Sequence, residues 1–311
     1  MTTSHPGWRS FQRTPFGGER KTAFPCILLA SMCPPLQDGK PAPLRLMAVL
    51  AHPDDESLGV GGVLAKYAAE GVEVSLVTAT RGEGGRYHEH REGPGHPGRE
   101  RLGEIREAEV RCAAQVLGIR GLWLLGYHDG ALDQADPREI VGRIAGRIRH
   151  VRPHVVLTFP PDGAYGHPDH IAICQFTTAA VLAAADSAHA TDPAGPPHSV
   201  SKLYYMVNSP ARWEVYQHAF KRLASTVDGV ERVAHAWPEW EITTLVDTTK
   251  HWEVAWKAVS CHDSQIAVYD QLKDLDPERH RALWGAQEFY RALSTVNGGR
   301  AKERDLFEGL R

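Results

Sequence analysis

Long apolar runs, paired cysteines and charge of one sign are all missing from this sequence. No apolar run reaches the ~20 residues that a membrane-spanning helix needs, so no membrane span is expected. The five cysteines, Cys26, Cys33, Cys112, Cys174 and Cys261, are odd in number and contain no C-x-x-C pair. That argues against a disulfide framework or a structural zinc knuckle and favours a reducing, cytoplasmic compartment. The formal net charge is only −3 and no long basic stripe occurs, so nothing invites nucleic acid. A dinucleotide fingerprint is missing too. Gly59-Val60-Gly61-Gly62 lacks the G-x-G-x-x-G spacing and follows three carboxylates that would repel a pyrophosphate. Its glycines read as places where a helix packs closely.

The remainder is ordinary for a globular chain, with 42% hydrophobic and 23% charged residues among 311. From Leu44 onward apolar runs alternate with amphipathic ones. Strands are expected at Leu44–Leu50, Val72–Thr78, Gly121–Leu125, His154–Phe159, Lys202–Val207 and Ile242–Val246. Helices are expected at Ser57–Glu70, Arg99–Leu117, Pro137–Val151, Asp169–Ala185, Ala211–Leu223, Thr249–His262 and Pro277–Leu293. Strands that alternate with helices and are near-continuous apolar runs imply an α/β fold whose mostly parallel sheet is covered on both faces. Residues 1–43, rich in Pro, Gly and Ser, read as a poorly ordered extension. Arg20-Lys21 before Ala23–Met32 only faintly resembles a signal peptide, because Pro25 interrupts the apolar part. Residues 44–311 show no linker and read as a single domain. The sequence leaves the oligomeric state, a homo-oligomer included, open.

Two of the apolar runs end in unusual chemistry. The first delivers His52-Pro53-Asp54-Asp55-Glu56, and another is followed by Tyr165-Gly166-His167-Pro168-Asp169-His170. In parallel sheets ligands bind beyond the carboxyl ends of the strands, where both clusters fall. Asp54-Asp55 alone would suit a helix N-terminus, and a lone His-x-x-His is weak. Together they suggest a metal site built from two loops. Pro53 stiffens the turn so that His52 and Asp55 aim at one point, and His170, in the first turn of the next helix, supplies a third ligand. Three such ligands with one open position suit catalytic Zn²⁺, although N/O donors also take Fe²⁺, Mn²⁺ or Co²⁺. His167, one turn earlier, faces a reacting group instead.

Other residues carry weaker signals. Arg81 follows the second strand and Asp129 the third; each can hold sugar hydroxyls, and each has an ordinary alternative as a surface ion pair or a turn aspartate. His88, His90 and His96 read as solvated residues of a Gly82–Gly98 loop. His262 reads as a helix C-terminal cap, and Trp237, Trp240, Trp252 and Trp256 as packing residues.

With Ala51–Glu56 reading A-H-P-D-D-E and Gly166–His170 reading G-H-P-D-H, the chain resembles the LmbE-like, or PIG-L, family of zinc-dependent deacetylases. The resemblance runs from about Leu44 to Asp305 and includes Thr80-Arg81-Gly82-Glu83 and His262-x-x-Gln265. It implies a Rossmann-like three-layer sandwich and a hydrolase that removes the acetyl group from an N-acetylglucosamine-type conjugate, a small-molecule amino sugar, by attack of a zinc-bound water. A related branch cleaves bulkier N-acyl groups from glucosamine conjugates, which is the alternative activity. Carried over by position, His52, Asp55 and His170 resemble the zinc ligands and Asp54 the general base. His167 resembles the group that stabilises the transition state or protonates the leaving amine, oriented by Asp169, and Tyr165 helps hold the oxyanion. Arg81 and Asp129 would hold the sugar.

Overall fold

Strands form here where β-branched and aliphatic residues dominate, as in Leu46–Leu50 and, with Ser75 as its one polar member, Val74–Val77. The computed structural model describes residues 42–219, 224–227, 229–267, 270–297, 299 and 301–311. The extension expected over 1–43 therefore falls, up to residue 41, outside the described residues. The described fold occupies the unit Pro43–Arg311.

The strands β1 (Arg45–Leu50), β2 (Glu73–Thr80), β3 (Gly121–Tyr127), β4 (Val155–Thr158) and β5 (Lys202–Val207) are parallel. Between and after them run the helices α1 (Asp55–Ala69), α2 (Arg99–Leu117), α3 (Pro137–Val151), α4 (Gly163–Gly166), α5 (Pro168–Ala185) and α6 (Pro210–Ala219). Next come a hairpin, β6 (Ala224–Val227) with β7 (Val230–Val233), and then β8 (Thr244–Asp247), α7 (Trp252–Val259), α8 (Asp263–Ile266), α9 (Asp270–Lys273), α10 (Pro277–Trp284) and β9 (Ala286–Ser294). The main sheet has the order β3-β2-β1-β4-β5-β9-β8. α3 packs on α5, whereas α1 and α2 pack on α7, giving a three-layer α/β sandwich. The order reverses between β1 and β4, where Leu46 pairs with Val155 on one side and Val74 on the other. That reversal is the crevice where ligands bind in such sheets.

Local chemistry sets the helix ends. Asp136 and Asp276 accept hydrogen bonds from Arg138 N and Arg279 N, and each is followed by a proline at the first helical position. Within α1, a Cβ on Gly62 would meet Thr248 Oγ1 at 3.1 Å and the Trp284 carbonyl at 3.2 Å, so the glycine permits close packing, as expected.

Three expectations change. The helix expected over Pro277–Leu293 stops at Trp284, and Ala286–Ser294 forms β9, antiparallel to both β5 and β8. Its residues have good helix propensity, but hydrogen bonding on both sides in mid-sheet outweighs a weak local preference. The β6–β7 hairpin is additional to the expected strands. Cys112 and Cys261 form a disulfide between α2 and the turn after α7, one bridge where the cysteine pattern pointed to none; its partners lie 149 residues apart, beyond any local signal. Cys174 is buried and free, and burial pushes its thiol up to about 12. Among the described residues no helix is long and apolar enough to cross a membrane.

Candidate active site

β1 hands the chain to a turn that is tied from within. The Asp55 carboxylate folds back, and its Oδ2 accepts the N–H groups of Ala51 at 3.1 Å and His52 at 2.7 Å. Asp54, the residue before α1, sits in the left-handed region with φ 104°, which is costly for a non-glycine residue. Arg106, buried on α2, braces it: Nη2 donates to the Pro53 carbonyl and lies 3.1 Å from Asp54 Oδ2, and Nη1 donates to the Gly82 carbonyl at 2.8 Å. The loop after β4 is shaped by Asp162, whose Oδ1 accepts Ala164 N at 2.9 Å. It presents Tyr165, then His167 as the N-cap of α5, then His170 in the first turn of that helix. The end of β3 brings Asp129.

These loops converge. His170 Nε2 lies 3.2 Å from His52 Nδ1 and 3.5 Å from Asp55 Oδ1, and His52 Nδ1 lies 3.7 Å from Asp55 Oδ2. Both imidazoles have their other nitrogen occupied by an acceptor. His52 Nε2–H points at Asp129 Oδ1 and Asp169 Oδ2, each at 3.1 Å, and His170 Nδ1–H donates to the Gly163 carbonyl at 3.3 Å. Those partners turn His52 Nδ1 and His170 Nε2, with a carboxylate, toward one point. Tetrahedral zinc about 2.0–2.2 Å from each donor separates neighbouring donors by roughly 3.3–3.6 Å. The donor set therefore fits a divalent ion. The ring nitrogens of His167 also lie within reach, since His52, His167 and His170 each offer a ligand atom within 4.8 Å of the others.

Burial governs the electrostatics. It pushes Asp55 up to about 7 and raises Asp54, against which the Arg106 guanidinium pulls. His52 loses solvation, but its bonds to Asp129 and Asp169 outweigh that loss and raise it well above an ordinary histidine. Burial and the neighbouring His52 lower His170 and bring His167 down to about 4. Burial raises the Tyr165 hydroxyl, so it remains a hydrogen-bond donor.

The structure brings His52, Asp54, Asp55, Asp129, Tyr165, His167 and His170 to the walls of one cavity of about 840 Å³. Asp169 is fully buried behind it. Its carboxylate accepts from His52, Gly130 N at 2.7 Å and Leu132 N at 3.0 Å, whereas it is its backbone N–H that donates to His167 Nδ1. The side chain expected to orient His167 therefore orients His52. Asp129, expected at the sugar, shares that task and accepts Gly84 N at 2.9 Å through Oδ2. Arg81 points elsewhere: it pairs with Glu100 at 2.9 Å and Glu107 at 3.5 Å and is not among the cavity-lining residues.

Sequence reasoning missed Arg106, one of many charged residues on an amphipathic helix; only its place on the buried face of α2, in line with Leu102, Val110 and Ala113, distinguishes it. His262 caps nothing in the expected sense and is buried against Glu56 at 2.7 Å. Trp237 lines the cavity and donates to Asp162, Trp252 and Trp256 pack on His280, and Trp240 is 79% exposed rather than packed. His88 and His90 join no metal-ligand cluster among the described residues. The loop that carries them is tied down by Gln265 Nε2 to the Arg86 carbonyl and by His88 N to the Ser264 carbonyl, both at 2.6 Å.

Comparison with known proteins identifies the family. The family described as PIG-L, GlcNAc-PI de-N-acetylase, matches residues 47–181. A 1D-myo-inositol 2-acetamido-2-deoxy-alpha-D-glucopyranoside deacetylase from Kineococcus radiotolerans is 35% identical, over 86% of this chain and 83% of the relative. A mycothiol S-conjugate amidase from Streptomyces coelicolor is 33% identical, over 86% of this chain and 98% of the relative. Among solved structures, the conserved protein TT1542 from Thermus thermophilus superposes with a TM-score of 0.58 at 26% identity, over 82% of this chain and 97% of that one.

Proposed function

The chain belongs to the PIG-L (LmbE-like) family, and on that premise we propose that it is a zinc-dependent hydrolase that removes the acetyl group from an N-acetylglucosamine-type conjugate. The observation that carries this reading is the meeting of His52 Nδ1, His170 Nε2 and the Asp55 carboxylate within 3.2–3.7 Å. Zinc, when bound there, supplies a Lewis acid that makes water a competent nucleophile near neutral pH.

The chain's own residues do the rest. Asp54, on the cavity wall, accepts the proton of the attacking water, a transfer worth roughly 10²–10⁴-fold in such reactions. The Tyr165 hydroxyl donates to the oxygen that gains charge as the amide carbon becomes tetrahedral. Asp54 then passes the proton it has taken to the departing amine, and His167, whose Nδ1 accepts the Asp169 amide, donates Nε2–H to the developing tetrahedral oxygen. Asp129 and Asp169 hold the His52 ring in the tautomer that binds the metal. Arg106 and Asp129 line the cavity but are engaged with Asp54, the Pro53 and Gly82 carbonyls, His52 and Gly84 N, so they shape the walls around the sugar, and Arg81, assigned to the sugar from sequence, does not line it.

A second reading, an amidase acting on a bulkier N-acyl group, is favoured by the opposite wall, where Met206, Trp213 and Trp237 line the same cavity. Both readings are tested together by product release from glucosaminyl-inositol conjugates carrying acetyl or larger acyl groups, with and without a chelator. Acetate released only in the presence of metal supports the first reading; release of larger acids alone supports the second. No amine from any of them overturns both.

A further inference from the structure

One buried cluster lies behind the site and has no part in the chemistry described so far. Glu56, in the first turn of α1, is fully buried, and His262, in the turn between α7 and α8, is 1% exposed. The Glu56 carboxylate gathers three donors. Oε2 accepts the N–H of Asp54 at 3.1 Å, and Oε1 accepts the Ser57 hydroxyl at 2.6 Å and His262 Nε2–H at 2.7 Å. Asp54 is the residue with φ 104°. Backbone held in this region by a non-glycine residue persists only where its surroundings over-determine it. Arg106 grips the turn from one side through the Pro53 carbonyl and the Asp54 carboxylate; Glu56 grips it from the other through the Asp54 amide.

We infer that His262 and Glu56 form a positioning pair that holds Asp54 in its left-handed conformation and so aims its carboxylate at the reacting water. A buried carboxylate needs a partner to stay in place, and His262 is the ring that supplies it across 206 residues of sequence. His262 is itself anchored on both sides. Cys261 is bonded to Cys112 on α2, and Glu109 of α2 accepts Ser264 N and Oγ at 2.7 Å each. Among the described residues the His262 Nδ1 atom has no hydrogen-bond partner, so the ring acts through Nε2. This inference rests on Asp54 as proton acceptor and adds the device that places it.

The Nε2 dependence gives the test. Glutamine at 262 can place an amide N–H where Nε2–H lies; asparagine places it near Nδ1 and falls short of Glu56. His262→Gln is expected to keep kcat within about threefold, whereas His262→Asn loses about 10- to 100-fold in kcat, in line with the cost of roughly 1 Å of misplacement. KM and metal content stay at the wild-type value in both. In an Asp54→Ala background, His262→Asn costs no further activity, because the residue it positions is gone. Equal loss in the Gln and Asn variants, an Asn variant with full kcat, or the same loss with and without Asp54 overturns the pair. If His262→Asn does not fold, Glu56→Ala replaces it in the same cycle and is read the same way. An Asp54→Ala enzyme with full turnover instead overturns the assigned base, a failure separate from that of the pair.

Discussion

His170 Nε2 faces His52 Nδ1 at 3.2 Å, with the Asp55 carboxylate beside both. Substituting either ring removes that convergence. His52→Ala and His170→Ala are each expected to lower bound metal from one equivalent to less than about a tenth and to abolish turnover. Elemental analysis after dialysis against trace zinc checks this, and a fully loaded His52→Ala protein sinks the ligand assignment.

Asp54 lines the cavity beside Asp55 but is tied to Arg106 at 3.1 Å rather than to the histidines. Asp54→Ala should therefore keep its metal and lose roughly 10²–10⁴-fold in kcat. Paired metal and rate measurements decide it; metal lost with an intact fold means that Asp54 and Asp55 exchange roles.

Asp169 holds His52 Nε2–H from a fully buried position. An amide in its place accepts more weakly and carries no charge. Asp169→Asn is expected to weaken metal affinity about 10- to 100-fold, measured by competition with a chromophoric chelator. Unchanged affinity assigns the tautomer control of His52 to Asp129.

The two arginines should separate cleanly. Arg81 pairs with Glu100, itself 83% exposed, and exposed pairs contribute about 0–1 kcal/mol. Arg81→Ala should leave kcat/KM within about twofold and thermal stability nearly unchanged. Arg106 is buried against Asp54, and breaking such a pair costs about 3–5 kcal/mol. Arg106→Ala should lower the unfolding temperature and kcat/KM by at least about tenfold. A large activity loss for Arg81→Ala restores that residue to the site.

Acid sensitivity has a source far from the cavity. Burial works against ionisation of Glu303, but Lys202 Nζ at 2.7 Å, the Tyr204 hydroxyl at 2.6 Å, Asn297 and Thr244 outweigh it and hold its carboxyl at about 2. An unfolded glutamate titrates near ~4.3. The stabilisation is thus complete above that pH and disappears as pH falls toward 2, amounting to about 3 kcal/mol. Denaturant unfolding from pH 6 to pH 2 should show wild type losing its advantage over Glu303→Gln across that window; a constant difference refutes the assignment.

The elements that carry the chemistry are legible in the linear chain. The apolar runs that form β1 and β4 and the proline-marked starts of α3, α5 and α10 depend on neighbours a few residues away. The His52–Asp55 turn and the His167–His170 cluster are legible for the same reason, and parallel strands place both beyond the carboxyl ends of adjacent strands. Other features become visible only in the folded chain. Ala286–Ser294 is a strand, Asp169 serves His52, Arg106 rather than Arg81 reaches the cavity, and His262 backs Glu56. Each of these turns on partners tens to hundreds of residues apart. Burial and long-range pairing, not local propensity, set their energies.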